Sequence, residues 1–410
     1  MFCTRALGAT LTVITLTAFA WPAVRGPDDP PDPGGTRSRQ WALAPLDAQQ
    51  AWRTTRGEGV VVAVLDTGVN GDHPDLAGAV VDGPDLTGAA RTDSLWGRHG
   101  TAMASLIAGR GRGTDRSRGV IGIAPGATIL SVRIALENDD PRRARFREGD
   151  GRSLARGIRY AVDHGARVIS MSLGCGGSEW KGTAAEQKAV RYALGRGAVL
   201  VASSGNDGAG PNRRNFPAAY PGVISVGAVD EKMRVAPFSN RQRYLSVVAP
   251  GTGIITADGS RSYVIGDGTS SAAAMVSGIA ALIKAEFPAM SPAQVRRAIE
   301  RGTTHAPAGG HDSAYGHGVA NAVRALEQAA RSQRRSLRAT APRRVPGGAV
   351  RETATGPVSG ASTGPGSGEG IGPRQIVCAL LVLLVLSMSA RRLLRGRRCS
   401  YRPPPADSEH

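Results

Sequence analysis

VVVAVLDTGVN, residues 60–70, sets six apolar residues in a row ahead of an aspartate, a threonine and a glycine. A run without polar alternation suits a strand buried on both faces, as in a parallel sheet covered by helices. The Asp-Thr-Gly that closes it suits a strand tip. Further runs of this kind follow: TILSVRI (128–134), RVISMSL (167–173), AVLVAS (198–203), VISVGAV (223–229) and LSVVA (245–249). Helical patterns fall at 99–109, 151–164, 182–195, 269–287, 291–301 and 318–331. The alternation predicts an α/β domain over 41–330, doubly wound, with a mostly parallel central sheet and helices on both faces. In such sheets, functional groups gather beyond the carboxyl ends of the strands.

The flanks of this domain have a different composition. Residues 1–20 carry one basic residue, an apolar stretch and an Ala18-Phe19-Ala20 ending, the pattern of a secretory signal peptide. Residues 21–40 are rich in Pro and Gly and read as an extended arm. Residues 331–374 read as a linker, first basic and then Gly/Ser/Pro-rich. The apolar stretch at 375–394 is expected to form one transmembrane helix, leaving 395–410 as a tail. Five arginines (Arg391, Arg392, Arg395, Arg397 and Arg398) follow its apolar core and place the tail in the cytoplasm, with the main domain outside.

The net charge of +18 is unevenly spread. Residues 41–330 hold 33 basic and 26 acidic residues, whereas 331–410 hold 14 and 4. The excess therefore belongs to the linker and tail, where it suits anionic lipid, and nucleic-acid binding is not expected. Of the four cysteines, only Cys175 falls in the exported domain, which leaves it no disulfide partner there. No EF-hand-like acidic loop is visible, and neither a metal nor a cofactor is expected.

Four segments carry chemistry. Asp66 ends the first strand. His99 lies at a helix start in WGRHGTAMASLIAG (96–109), where Gly100 permits close approach and the small residues suit a buried helix. Asn206 follows a strand in VASSGNDG (201–208), and Ser270 opens a helix in GDGTSSAAAMVSG (266–278). Taken singly, the Asp and the Asn are equally at home in turns. Together, the residues form a chemical set: a serine needs an adjacent base, and the base needs a third group to hold its tautomer. His73, in a Pro-containing loop, reads as a turn-shaping residue, and His317 as the entry to the last helix.

The segments VAVLDTGV, HGTAMASLIAG, SSGN and GTSSAAAMVSG resemble the four signature blocks of the subtilisin-like serine proteases, in the same chain order. The resemblance implies that Asp66 orients the base, His99 is the general base and acid, and Ser270 is the nucleophile. Asn206 and the Ser270 backbone N–H would then form the oxyanion hole. Ser271 stands where the family usually has methionine and is not the nucleophile. ISMSLGCGG (169–177) resembles the strand bordering the primary specificity pocket, with Ser172 and Gly174 as its walls. RQWALAPLDAQQAWRTTRGEGVVVAVLDTGV (39–69), with the terminal segments, is similar to the mycosins. These are membrane-anchored subtilisin-like proteases associated with type VII secretion systems.

Two positions depart from the mycosin pattern: Cys175 is alone where paired cysteines are usual, and Ala274 replaces a proline four residues after the nucleophile. The arm at 21–40 is too short for a folded inhibitory pro-domain. The charged stretch at 137–153 reads either as a cleft-side flap or partner contact, or as a solvated insertion. The function this implies is an extracytoplasmic, membrane-anchored serine endopeptidase acting on polypeptides beside a type VII secretion complex. The alternative is an assembly component of that machinery with dispensable turnover.

Overall fold

The computed structural model describes residues 35–89, 96–112, 118–143, 152–173, 182–259 and 261–340. The signal peptide, most of the arm, the Gly/Ser/Pro-rich linker, the 375–394 span, the tail, Gly174 and Cys175 lie outside the described residues. No helix among the described residues is long and apolar enough to cross a membrane.

The main sheet has seven strands in the order β2-β5-β1-β6-β7-β8-β9, and every pairing in it is parallel. Its members are β1 (Val61–Asp66), β2 (Val80–Asp85), β5 (Thr128–Arg133), β6 (Val168–Met171), β7 (Val199–Ser203), β8 (Ile224–Val229) and β9 (Val247–Pro250). The short pairs β3 (Arg110–Arg112) with β4 (Arg118–Ile121), and β10 (Ile254–Ala257) with β11 (Tyr263–Gly266), are antiparallel and separate.

Side chains alternate across a strand, and both faces of this sheet are covered. In β1, Val62 and Val64 enter one core while Ala63 and Leu65 enter the other, and all four are buried. The first face is covered by α1 (Arg98–Ala108), α4 (Thr269–Glu286), α5 (Pro292–Arg301) and α6 (Ala322–Thr340). The second is covered by α2 (Arg152–Asp163) and α3 (Ala184–Gly195). Helix α4 is buried from Ser271 to Lys284, which its small side chains permit. At Gly278 an added Cβ would stand 2.6 Å from Ile123 Cβ, so only glycine allows that approach. Ala274, in the place expected of proline, is fully buried.

The six predicted strands coincide with β1 and β5 to β9, with ends shifted by at most two residues. β2, VVDGPD, was not expected because Gly and Pro argue against a strand. It lies at the sheet edge, pairs with β5 alone, and its register breaks between Asp82 and Asp85. The last helix starts later and ends further on than the 318–331 pattern predicts. Val319 bridges Val248 and Thr304 instead, and Asn321 Oδ1 accepts the Arg324 N–H at 3.0 Å, starting the helix as a cap.

Regular structure extends beyond 41–330 at both ends. Residues 35–38 form a helical turn rather than extended arm, and Arg37 Nε donates to Gly119 O at 3.1 Å. Gln40 pairs with Ile121 through both amide atoms, at 2.9 and 3.0 Å. These side chains satisfy backbone groups of β4, so the domain already includes residues expected in the arm. At the other end, α6 carries the fold past 330 to Thr340.

Candidate active site

Asp66 closes β1 and is fully buried. Its Oδ1 accepts the Thr67 N–H at 2.7 Å and faces His99 Nδ1 at 2.7 Å. His99 is the second residue of α1, which starts after Gly97 at φ +71°. A Cβ on Gly100 would overlap Gly68 O and lie 3.2 Å from Asp66 Cβ. Glycine there lets the first turn of α1 rest on the β1 tip, the close approach expected from the sequence. With Nδ1–H donated to the carboxylate, Nε2 of the neutral ring is left to accept a proton. Burial of His99 disfavours its charged form, but attraction to Asp66 and the hydrogen bond outweigh that penalty and raise its pKa.

Ser270 is the second residue of α4. Its hydroxyl donates to Ser172 O at 3.3 Å, and the Ser172 hydroxyl donates back to Ser270 O at 3.0 Å. A hydroxyl has one proton, so in this rotamer Ser270 donates to the end of β6 and not to His99. Asn206 Oδ1 accepts from the Thr269 N–H at 3.0 Å and from the Thr269 hydroxyl at 2.8 Å. Those two donors identify the oxygen end of the amide and leave Nδ2 as the donor available to the cleft. Asp66, His99, Ser172, Asn206 and Ser270 all line one cleft of about 360 Å³. It opens beyond the carboxyl ends of β1, β5, β6 and β7, as expected for a parallel sheet.

Residues 57–318 match the model of the subtilase family. The chain belongs to that family. Thermitase of Thermoactinomyces vulgaris is 37% identical over 290 residues, 71% of this chain and 96% of thermitase. The solved structure of MycP1 with its N-terminal propeptide removed superposes with a TM-score of 0.58 at 32% identity, covering 70% of this chain and 96% of that one. MycP1 from Mycobacterium smegmatis gives 0.58 at 30% identity, covering 70% and 84%. The MycP3 protease from the type VII (ESX-3) secretion system gives 0.59 at 30% identity, covering 72% and 89%. The protein is thus a subtilase serine protease with mycosins among its structural neighbours.

Within this subtilase, the cleft also holds a buried acid that the sequence does not single out. Glu137, two residues after Ala135 on the chain leaving β5, is 8% exposed and lines the cleft. Its Oε1 accepts the His99 N–H at 3.0 Å. It opens the charged stretch at 137–153, of which only residues 137–143 and 152–153 are described, and nothing in that stretch distinguished it from its acidic neighbours. Arg143 also lines the cleft and hydrogen-bonds to Leu136 O. His73 shapes a turn, as expected: it is buried and its Nδ1 accepts the Asp75 N–H at 3.2 Å. His317 contacts Gly310 O at 2.9 Å and does not line the cleft.

Proposed function

We propose that this chain is a membrane-anchored, extracytoplasmic serine endopeptidase that cleaves polypeptides through an acyl-enzyme and associates with a type VII secretion complex. The observation that carries the chemistry is the 2.7 Å Asp66–His99 contact in the cleft that also holds Ser270 and Asn206. A turn of the Ser270 side chain from Ser172 O towards His99 Nε2 lets the imidazole take the hydroxyl proton as Oγ attacks the scissile carbonyl. Asp66 holds the ring tautomer and stabilises the imidazolium. The developing oxyanion meets Asn206 Nδ2 and the Ser270 N–H, at the electropositive start of an 18-residue helix. His99 then protonates the leaving amine, and water repeats the sequence on the acyl-enzyme. No step calls for a cofactor.

Two lines of support concern location: the mycosin neighbours, and the signal-peptide and span patterns at the two ends of the sequence. A fluorophosphonate probe tests the chemistry. Ser270 of the folded protein becomes labelled and Ser270→Ala does not; an unlabelled Ser270 refutes the mechanism. Complementation of a deletion strain with Ser270→Ala tests the cellular role. Restored secretion in that strain favours the assembly role over proteolysis.

A further inference from the structure

Glu137 is an expensive residue to place where it is. A buried carboxylate loses hydration and has to be repaid by hydrogen bonds or charge. Its Oε1 takes the His99 N–H at 3.0 Å, and the nearby Thr67 hydroxyl also favours its charged form. Thr67 Oγ1 in turn accepts the Gly100 N–H at 3.0 Å. Helix α1 needs these partners because its N-cap is Gly97, which has no side chain to satisfy the first-turn amides. A neutral Ser, Asn or Thr at the cap would satisfy them without burying a charge. The carboxylate instead arrives from the chain after β5 and ties the β1 tip, the α1 turn and the cleft wall together.

We propose that Glu137 is a positioning residue for the general base, fixing the backbone of His99 against the β1 tip and presenting a second carboxylate to the imidazole. The ring is then held at Nδ1 by Asp66, and the backbone that carries it is held at the His99 N–H by Glu137. Among the described residues, the other charges that face it are Asp66 from β1 and Arg143, which opposes the imidazolium, from the chain after β5. Across the cleft stands Asp267, and the Arg98–Asp139 ion pair at 3.2 Å lies at the start of α1. Burial pushes the Glu137 carboxyl above the usual range, while the charge of His99, the Thr67 hydroxyl and the His99 N–H pull it back. Ionised Glu137 favours the charged imidazole that forms as Ser270 is deprotonated.

The catalytic consequence rests on the protease reading, but the electrostatic one does not, so the test reads both. In a Ser270→Ala background, the imidazole titration of His99 is followed by 15N NMR with and without Glu137→Gln. The glutamine keeps an acceptor for the His99 N–H and removes the charge, so the His99 pKa falls by about one unit. In the Ser270 enzyme, the acidic limb of kcat/KM moves to lower pH in Glu137→Gln. Glu137→Ala lowers kcat by about tenfold or more with KM little changed, because the base is misplaced. An unmoved His99 titration in folded Glu137→Gln overturns the proposal, even if Glu137→Ala fails to fold. A shifted titration in a protein that never hydrolyses peptides sustains it and sinks the protease reading.

Discussion

His99 and Ser270 reach the same cleft by different means. His99 is gripped by two buried carboxylates, Asp66 at the ring and Glu137 at the backbone, with distances of 2.7 and 3.0 Å. Ser270 is held by neutral groups: its hydroxyl rests on Ser172 O at 3.3 Å, and its carbonyl takes the Ser172 hydroxyl. Charged, buried contacts with fixed geometry resist rearrangement, whereas a single neutral hydroxyl bond near the long end of the range is readily exchanged. The His99 half is therefore held in one arrangement. The Ser270 half retains one soft torsion.

The largest effect that separates the halves is loss of Ser270. Ser270→Ala removes the nucleophile and lowers kcat by about 10⁶-fold, measured on a peptide substrate, with the fold intact. Asp66→Asn attacks the rigid half and costs about 10⁴-fold at neutral pH, since the ring tautomer is no longer held. The same variant lowers the His99 pKa. A base is active when unprotonated, and Asp66 raises the His99 pKa, so the acidic limb of the pH–rate profile moves down in the variant.

Asn206→Ala tests the softer half without touching the nucleophile, and kcat falls by about 10²–10³-fold with KM changed little. If Asn206→Ala costs as much as Asp66→Asn, the contrast between the halves is wrong. The smallest effect is at Ser271, which is fully buried with no partner for its hydroxyl among the described residues. Ser271→Ala leaves turnover unchanged and raises stability by roughly 0–1 kcal/mol, read by chemical denaturation, because an unsatisfied polar group is removed.

Particular residues show what was readable in advance. Asp66, His99, Asn206 and Ser270 sit in short local contexts whose small neighbours are required by the docking seen at Gly100 and along α4, so their segments were legible. Glu137 was not, because its hydrogen-bond partner is a backbone N–H 38 residues away on another element. The contacts made by residues 37–40 are hidden in the sequence for a similar reason. Arg37 and Gln40 look like parts of a polar arm until β4 is brought beside them, 82 and 81 residues on in the chain. β2 escaped because an edge strand paired on one side does not need the continuous apolar run of a central one.

By itself the sequence determined the parallel sheet, the order of its central strands along the chain, and the four segments that meet at its rim. Those follow from patterns a few residues long, since strand and helix periodicities and glycine sterics act between near neighbours. Tertiary structure alone decided which end of the Asn206 amide faces the cleft, where the Ser270 hydroxyl points, and that a second carboxylate stands behind His99. Hydrogen bonds and buried charges depend on which distant loops are brought within about 3 Å of one another, and no local pattern encodes that.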